Sequence, residues 1–152
     1  MFLIDEYKKK IDNFYKLMDS NKNIVDIRVS DDKWTLKEML GHLIDSASNN
    51  HQRFIRLQID EKIHFPAYDA EKWKDYTKIY GFGFMELMNL WKSYNYFLLH
   101  LIKSIDVKDY NNKWILHDKE ITLKFIIEDY FGQHIDWHIE LYKKRVDEIN
   151  NR

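Results

Sequence analysis

Cysteine is absent from this 152-residue sequence, which excludes disulfides, Cys-ligated zinc, iron–sulfur clusters and any cysteine nucleophile. Only four glycines and one proline occur. Rossmann and P-loop fingerprints need clustered glycines, so neither fits, and a many-turned all-β fold lacks its turn residues. No apolar run approaches the roughly 18–20 residues of a membrane span. The opening Met1-Phe2-Leu3-Ile4-Asp5-Glu6 meets acid too soon for a signal peptide, so none is expected. No charge of one sign prevails: 24 Lys and Arg nearly cancel 25 Asp and Glu, which removes the global electrostatic case for nucleic acid or an anionic membrane. What is present is a 45% hydrophobic, 32% charged chain with 16% aromatic residues. That balance predicts one ordered, cytoplasmic domain over residues 1–152, long enough to build a core without covalent staples.

Four segments carry helical periodicity. Ile4, Tyr7, Ile11, Phe14 and Met18 make one apolar stripe from about Leu3 to Asp19. Thr35-Leu36-Lys37-Glu38 is a capping-box pattern that opens a second helix, reaching about Leu57. A third is predicted from about Phe84 to Ile105, and a fourth from about Thr122 to Ile149, with Leu123, Ile127, Tyr130, Phe131 and Leu141 on its apolar side. Thr-Leu-Lys opens both the second and fourth helices, an echo too short to be a repeat. The link over 59–83 is long and holds the only proline, Pro66; a short helix over Ala70–Tyr76 fits within it. With no strand predicted, the expected fold is all-α, a four-helix bundle with long crossover links.

The chemistry lies with histidine. Of seven, His134 and His138 stand four apart, so their rings share a helix face some 40° apart, inside the apolar stripe. Chance gives roughly 0.3 such pairs in a sequence of this composition, so placement carries more than spacing. Two neighbouring buried imidazoles are costly without partners. Hydrogen bonds within the core would supply them, and so would a divalent metal. A metal needs a further ligand, for which His42 is the best placed. It opens a polar stripe with Asp45, Ser46, Asn49 and Arg53, each within about 60° of His42 on the second helix. Such a stripe reads either as a solvated face or as the wall of a wet pocket. Its His, Asn and Arg composition, without the usual Lys and Glu, suits the second. His51 points away from His42 and reads as structural; His64, His100 and His117 have no helical partner at useful spacing. His134-Ile135-Asp136-Trp137-His138 lacks the Glu of the HExxH zinc proteases, and neither the Glu-x-x-His pairs of a ferritin-like di-iron site nor a G-x-S-x-G elbow occurs.

Three stretches then resemble the DinB-like family of metal-dependent proteins, including its bacillithiol-transferase (YfiT-like) branch. They are Trp34 to Ser46 continuing to Asn49 and Arg53-Phe54, then Phe65-Pro66-Ala67-Tyr68-Asp69 with Trp73, and Tyr130 to His138. The resemblance spans about residues 34–145. It implies up-down-down-up topology and one divalent metal (zinc, nickel or iron) held by His42, His134 and His138. One departure is visible: Trp137 stands where related sequences often carry a further histidine. The activity implied is transfer of a low-molecular-weight thiol to an electrophilic small molecule, or hydrolysis of a small substrate. Asn49 and Arg53 are the expected substrate-binding residues; no residue stands out as the general base. A homodimer is among the expected assemblies. The competing expectation is a non-enzymatic bundle, a binding or stress-response protein with a structural metal or none.

Overall fold

A computed structural model describes residues 2–152. Four long helical segments form the bundle: α1 (Ile4–Ser20), α2 (Leu36–Ile59), α4 (Phe84–Lys103), and a fourth built from α5 (Leu123–Asp129) and α6 (Ile135–Asn150). The short α3 (Ala70–Thr77) lies in the crossover, and no described helix is long and apolar enough to cross a membrane. Most of each expected apolar stripe is buried; Leu90 and Phe97, expected on the stripe of the third helix, are exposed instead. Tyr7, Ile11, Phe14 and Met18 turn inward from α1, Leu36, Leu40, Leu43, Ala47 and Phe54 from α2, and Leu87, Trp91 and Leu98 from α4. Phe14 sits at the centre, edge-on to both Trp91 and Tyr142 at about 5 Å.

Side-chain contacts fix the topology. Tyr7 stacks on Phe131, Lys10 pairs with Asp136 and Phe14 meets Tyr142, so α1 runs parallel to the fourth segment. Tyr15 bonds Asn89 while Tyr96 bonds Asp12, so α1 and α4 are antiparallel. Gly41 lies against Ile79, just ahead of α4, while His51 meets Tyr94 and Phe97, so α2 and α4 are parallel. Arg145 bonds Trp34, His138 meets His42 and Tyr130 meets Phe54, so α2 opposes the fourth segment. The order is up-down-down-up.

Parallel α2 and α4 force the chain between them to travel back along the bundle, and residues 60–83 do so over α2. Phe65 accepts from Trp114, Tyr68 reaches His42, and Tyr80 donates to Glu38. Gly41 has no Cβ, and Ile79 occupies the space one would need, which brings the crossover onto the helix beside His42.

Two sequence expectations are corrected. A three-stranded sheet, β1 (Lys62–Ile63), β2 (Lys113–Leu116) and β3 (Lys119–Thr122), packs beside the C-terminal half of α2. β1 is parallel to β2, and β2 forms a hairpin with β3 in which Leu116 faces Lys119. The turn places His117 at φ 55, the left-handed region. The strands are short and the turn is His-Asp, without the Asn-Gly that marks a tight hairpin. The fourth helix is also interrupted: Tyr130–His134 form a π-helical turn, with Gly132 at non-helical φ −96, ψ −107. An even rotation of 100° per residue does not run through that turn, yet Leu123, Ile127 and Tyr130 before it and His138 after it are all buried.

Candidate functional site

Two local features position the histidines. On α2, Thr35 Oγ1 accepts from the Glu38 amide at 3.1 Å while the Glu38 carboxylate accepts from the Thr35 amide at 3.0 Å, closing the predicted box. The same buried carboxylate accepts from Arg28 and from the Tyr80 hydroxyl, tying the preceding loop and the crossover to the start of the helix. His42 follows within two turns. On the fourth segment, the π turn delivers His134 at the head of α6 and His138 one turn on.

These three are brought together. One ring nitrogen from each lies within 4.8 Å of the other two, and His134 Nε2 and His138 Nε2 are 3.1 Å apart. His42 is flanked by Trp34, edge-on at 5.7 Å, and by the tilted ring of Tyr68 at 6.1 Å. Its Nδ1 is buried and has no hydrogen-bond partner among the described residues. Burial lowers the His42 pKa to about 4, helped by His134, and lowers that of His138 to about 3, helped by both other rings. Burial also lowers that of His134, against an opposing pull from Asp129. All three are therefore neutral at pH 7 and offer lone pairs. Neutral imidazoles converging with an orphaned nitrogen among them fit a divalent cation, which satisfies them without adding a proton.

The cluster divides two cavities, and His134 lines both. The wider, about 470 Å³, is walled by Trp34, Met39, Trp137 and Leu141 beside the three histidines. Trp137 is 62% exposed and lies edge-on to His138 at 4.8 Å, so the departure noted in the sequence forms part of the wall at the mouth. The smaller, about 190 Å³, is lined by Ser46, Asn50, Arg53, Tyr68, Trp114 and Tyr130, among others.

Arg53 is buried, with Trp114 stacked on its guanidinium at 4.0 Å. Asn49 is buried too, but its amide donates to the Asp45 carbonyl of its own helix at 2.9 Å, and it lines neither cavity. Its neighbour Asn50 does, and had not been singled out. Asp45 faces a separate groove with Gly41 and Ile79, where burial raises its pKa to about 6. His51 bonds the Tyr94 hydroxyl at 2.8 Å; His64, His100 and His117 are exposed. Trp114, on the unpredicted hairpin, is a wall residue that sequence reading missed. Its signal was the aromatic and branched run Trp114-Ile115-Leu116 between Asn111-Asn112 and His117-Asp118.

No protein-family model and no curated protein matches this sequence. Among solved structures the fold is similar to that of YfiT from Bacillus subtilis, described as a probable metal-dependent hydrolase with an unusual four-helix bundle topology. The match has a TM-score of 0.78 at 19% identity and covers 98% of this chain and 86% of that one. The chain therefore shares the four-helix bundle fold of that structure.

Proposed function

We propose that this protein is a metal-dependent enzyme acting on a small molecule, with His42, His134 and His138 holding one divalent cation. The observation that carries this is the convergence of three neutral imidazoles, from elements far apart in sequence, on the partition between two cavities. Three histidines leave coordination open, the pattern of catalytic sites. When bound, such a cation supplies Lewis acidity and lowers the pKa of water or a thiol.

The chain's own residues do the rest. Trp34 and Tyr68 hold the His42 ring, the Tyr130 ring lies nearly parallel to that of His134 at 6.3 Å, and Trp137 and Leu141 give the wider chamber apolar walls. Arg53 faces substrate from the narrower chamber, and Asn49 supports the helix behind it. Hydrolysis is the first reading, in keeping with the description of the similar YfiT. Transfer of a low-molecular-weight thiol uses the same arrangement, and with no cysteine in the chain the sulfur arrives on a cosubstrate. Zinc, nickel and iron all suit three imidazoles. The setting is the cytoplasm, and a homodimer is the proposed assembly.

Metal analysis of purified protein tests this first. One equivalent in the wild type and none in the His134→Ala, His138→Ala double variant is expected; a wild type that holds no stoichiometric metal even after reloading would leave a non-enzymatic bundle. A screen of thiols with electrophiles, set against simple ester and amide hydrolysis, then separates the two reactions.

A further inference from the structure

The narrower chamber holds a buried guanidinium that no carboxylate among the described residues bonds. Arg53 is only 6% exposed. Its Nη1 donates to Asn50 Oδ1 at 3.3 Å, a long bond to a neutral acceptor, and its buried Nε has no partner among the described residues. The other buried arginine, Arg145, bonds the Trp34 carbonyl and Glu148, and exposed Arg28 meets Glu38. Arg53 alone of these has no acid. A buried charge left unpaired is strongly unfavourable, and proteins normally neutralise or pair it. Arginine stays charged, so an anion from outside is the remaining partner.

The surroundings specify which anion. Trp114 at 4.0 Å and Phe65 at 5.9 Å flank the guanidinium, holding its plane and leaving its donor edge for recognition. A planar edge of adjacent N–H groups matches a carboxylate in two-point fashion. Ser46 and Tyr68 add two neutral hydroxyls to the lining, the Tyr68 phenol kept protonated because burial raises its pKa to about 12. Asp129 lines the same chamber and opposes a dianion such as phosphate. The remaining wall, with Ile121, Ile126 and Tyr130, is apolar, and His134 closes the chamber toward the histidine cluster.

We infer that this chamber is a carboxylate subsite anchored by Arg53, and that the small molecule acted on at the histidine cluster carries a carboxylate on a short apolar body. This rests on the cluster being the reaction centre. A carboxylate seated on Arg53 points its other end toward His134, so Arg53 sets which molecules reach the cluster and in what orientation.

The test uses the full chain, with butyrate as probe and butyramide as its uncharged match. Binding is followed by calorimetry and by the Trp114 indole NMR signal, identified with Trp114→Phe. Butyrate should bind about tenfold more tightly than butyramide, the worth of roughly one charge-assisted hydrogen bond. The preference should fall to within about twofold in Arg53→Met and be partly kept in Arg53→Lys. Because Arg53→Met removes an unpaired buried charge, its unfolding midpoint without ligand should match or exceed that of the wild type. Equal binding of the two probes to wild type, tighter binding of inorganic phosphate than of butyrate, or a preference that survives Arg53→Met overturns the subsite. The wild-type comparison decides the matter even if a variant fails to fold. Metal content is measured on the same samples. Lost probe preference with metal intact refutes the subsite alone; preference without any bound metal refutes the reaction centre, and with it the substrate assignment.

Discussion

His42 and His138 ionise near pH 4 and 3 in the fold, against an ordinary value of 6.5, because burial disfavours the imidazolium and each ring resists charge on its neighbours. Between pH 6.5 and those lower values the unfolded chain binds more protons than the folded one. Stability of the metal-free protein is therefore full above about 6.5 and falls as pH drops through that window, by a few kcal/mol in total. Asp45 works in the opposite sense: its pKa is raised from 3.8 to about 6, so raising the pH through that interval costs stability. Two histidines outweigh one carboxylate. Urea unfolding of metal-free protein should show a lower midpoint at pH 5 than at pH 7.5. The difference should shrink in His42→Asn and grow in Asp45→Asn. These residues were partly legible in the sequence. His134 and His138 declare themselves by spacing within an apolar stripe, and His42 by a polar stripe that lacks lysine and glutamate. The stripe favours Asn49, about 20° from His42, over Asn50, about 80° away on its edge. Packing decides between them, turning the Asn49 amide onto its own backbone and leaving Asn50 to face the chamber.

At the scale of elements, the start of α2 is a junction rather than a simple cap. Thr35→Ala removes one capping bond and should cost about 1 kcal/mol. Glu38→Ala removes the acceptor for the Thr35 amide, Arg28 and Tyr80 together, so roughly 2–3 kcal/mol is expected, read from urea midpoints. The π turn carries a different consequence. Deleting exposed Gln133 should let the segment wind regularly and rotate both histidines of α6 relative to α5. Circular dichroism should change little while metal affinity falls by at least about tenfold. The helices were legible because 3.6-residue stripes and a capping box are written in side-chain order. The turn was not, because its five residues carry no composition that departs from a helix except Gly132. Nor was the hairpin, whose four-residue strands are too short for alternation to register; its role depends on Trp114 meeting Arg53, a contact between residues 61 positions apart.

For the molecule as a whole, a cation bound by all three histidines favours the folded state, since the unfolded chain does not hold them together. At a free concentration about a hundred times Kd the gain is about 2.7 kcal/mol. For a chain of this size that raises the thermal midpoint by roughly 5–10 °C. A scan with and without the metal found in the purified protein checks it, and the double histidine variant should show no shift. The up-down-down-up order was expected from resemblance, and contacts along each helix pair bear it out; periodicity alone gives the helices but not which of them run side by side. That order also has a bearing on synthesis. His42 emerges from the ribosome long before His134 and His138, and α6 must lie antiparallel to α2 before the three rings meet. A growing chain thus presents a solitary imidazole, and any ion that the three rings hold is gripped only after translation has passed α6.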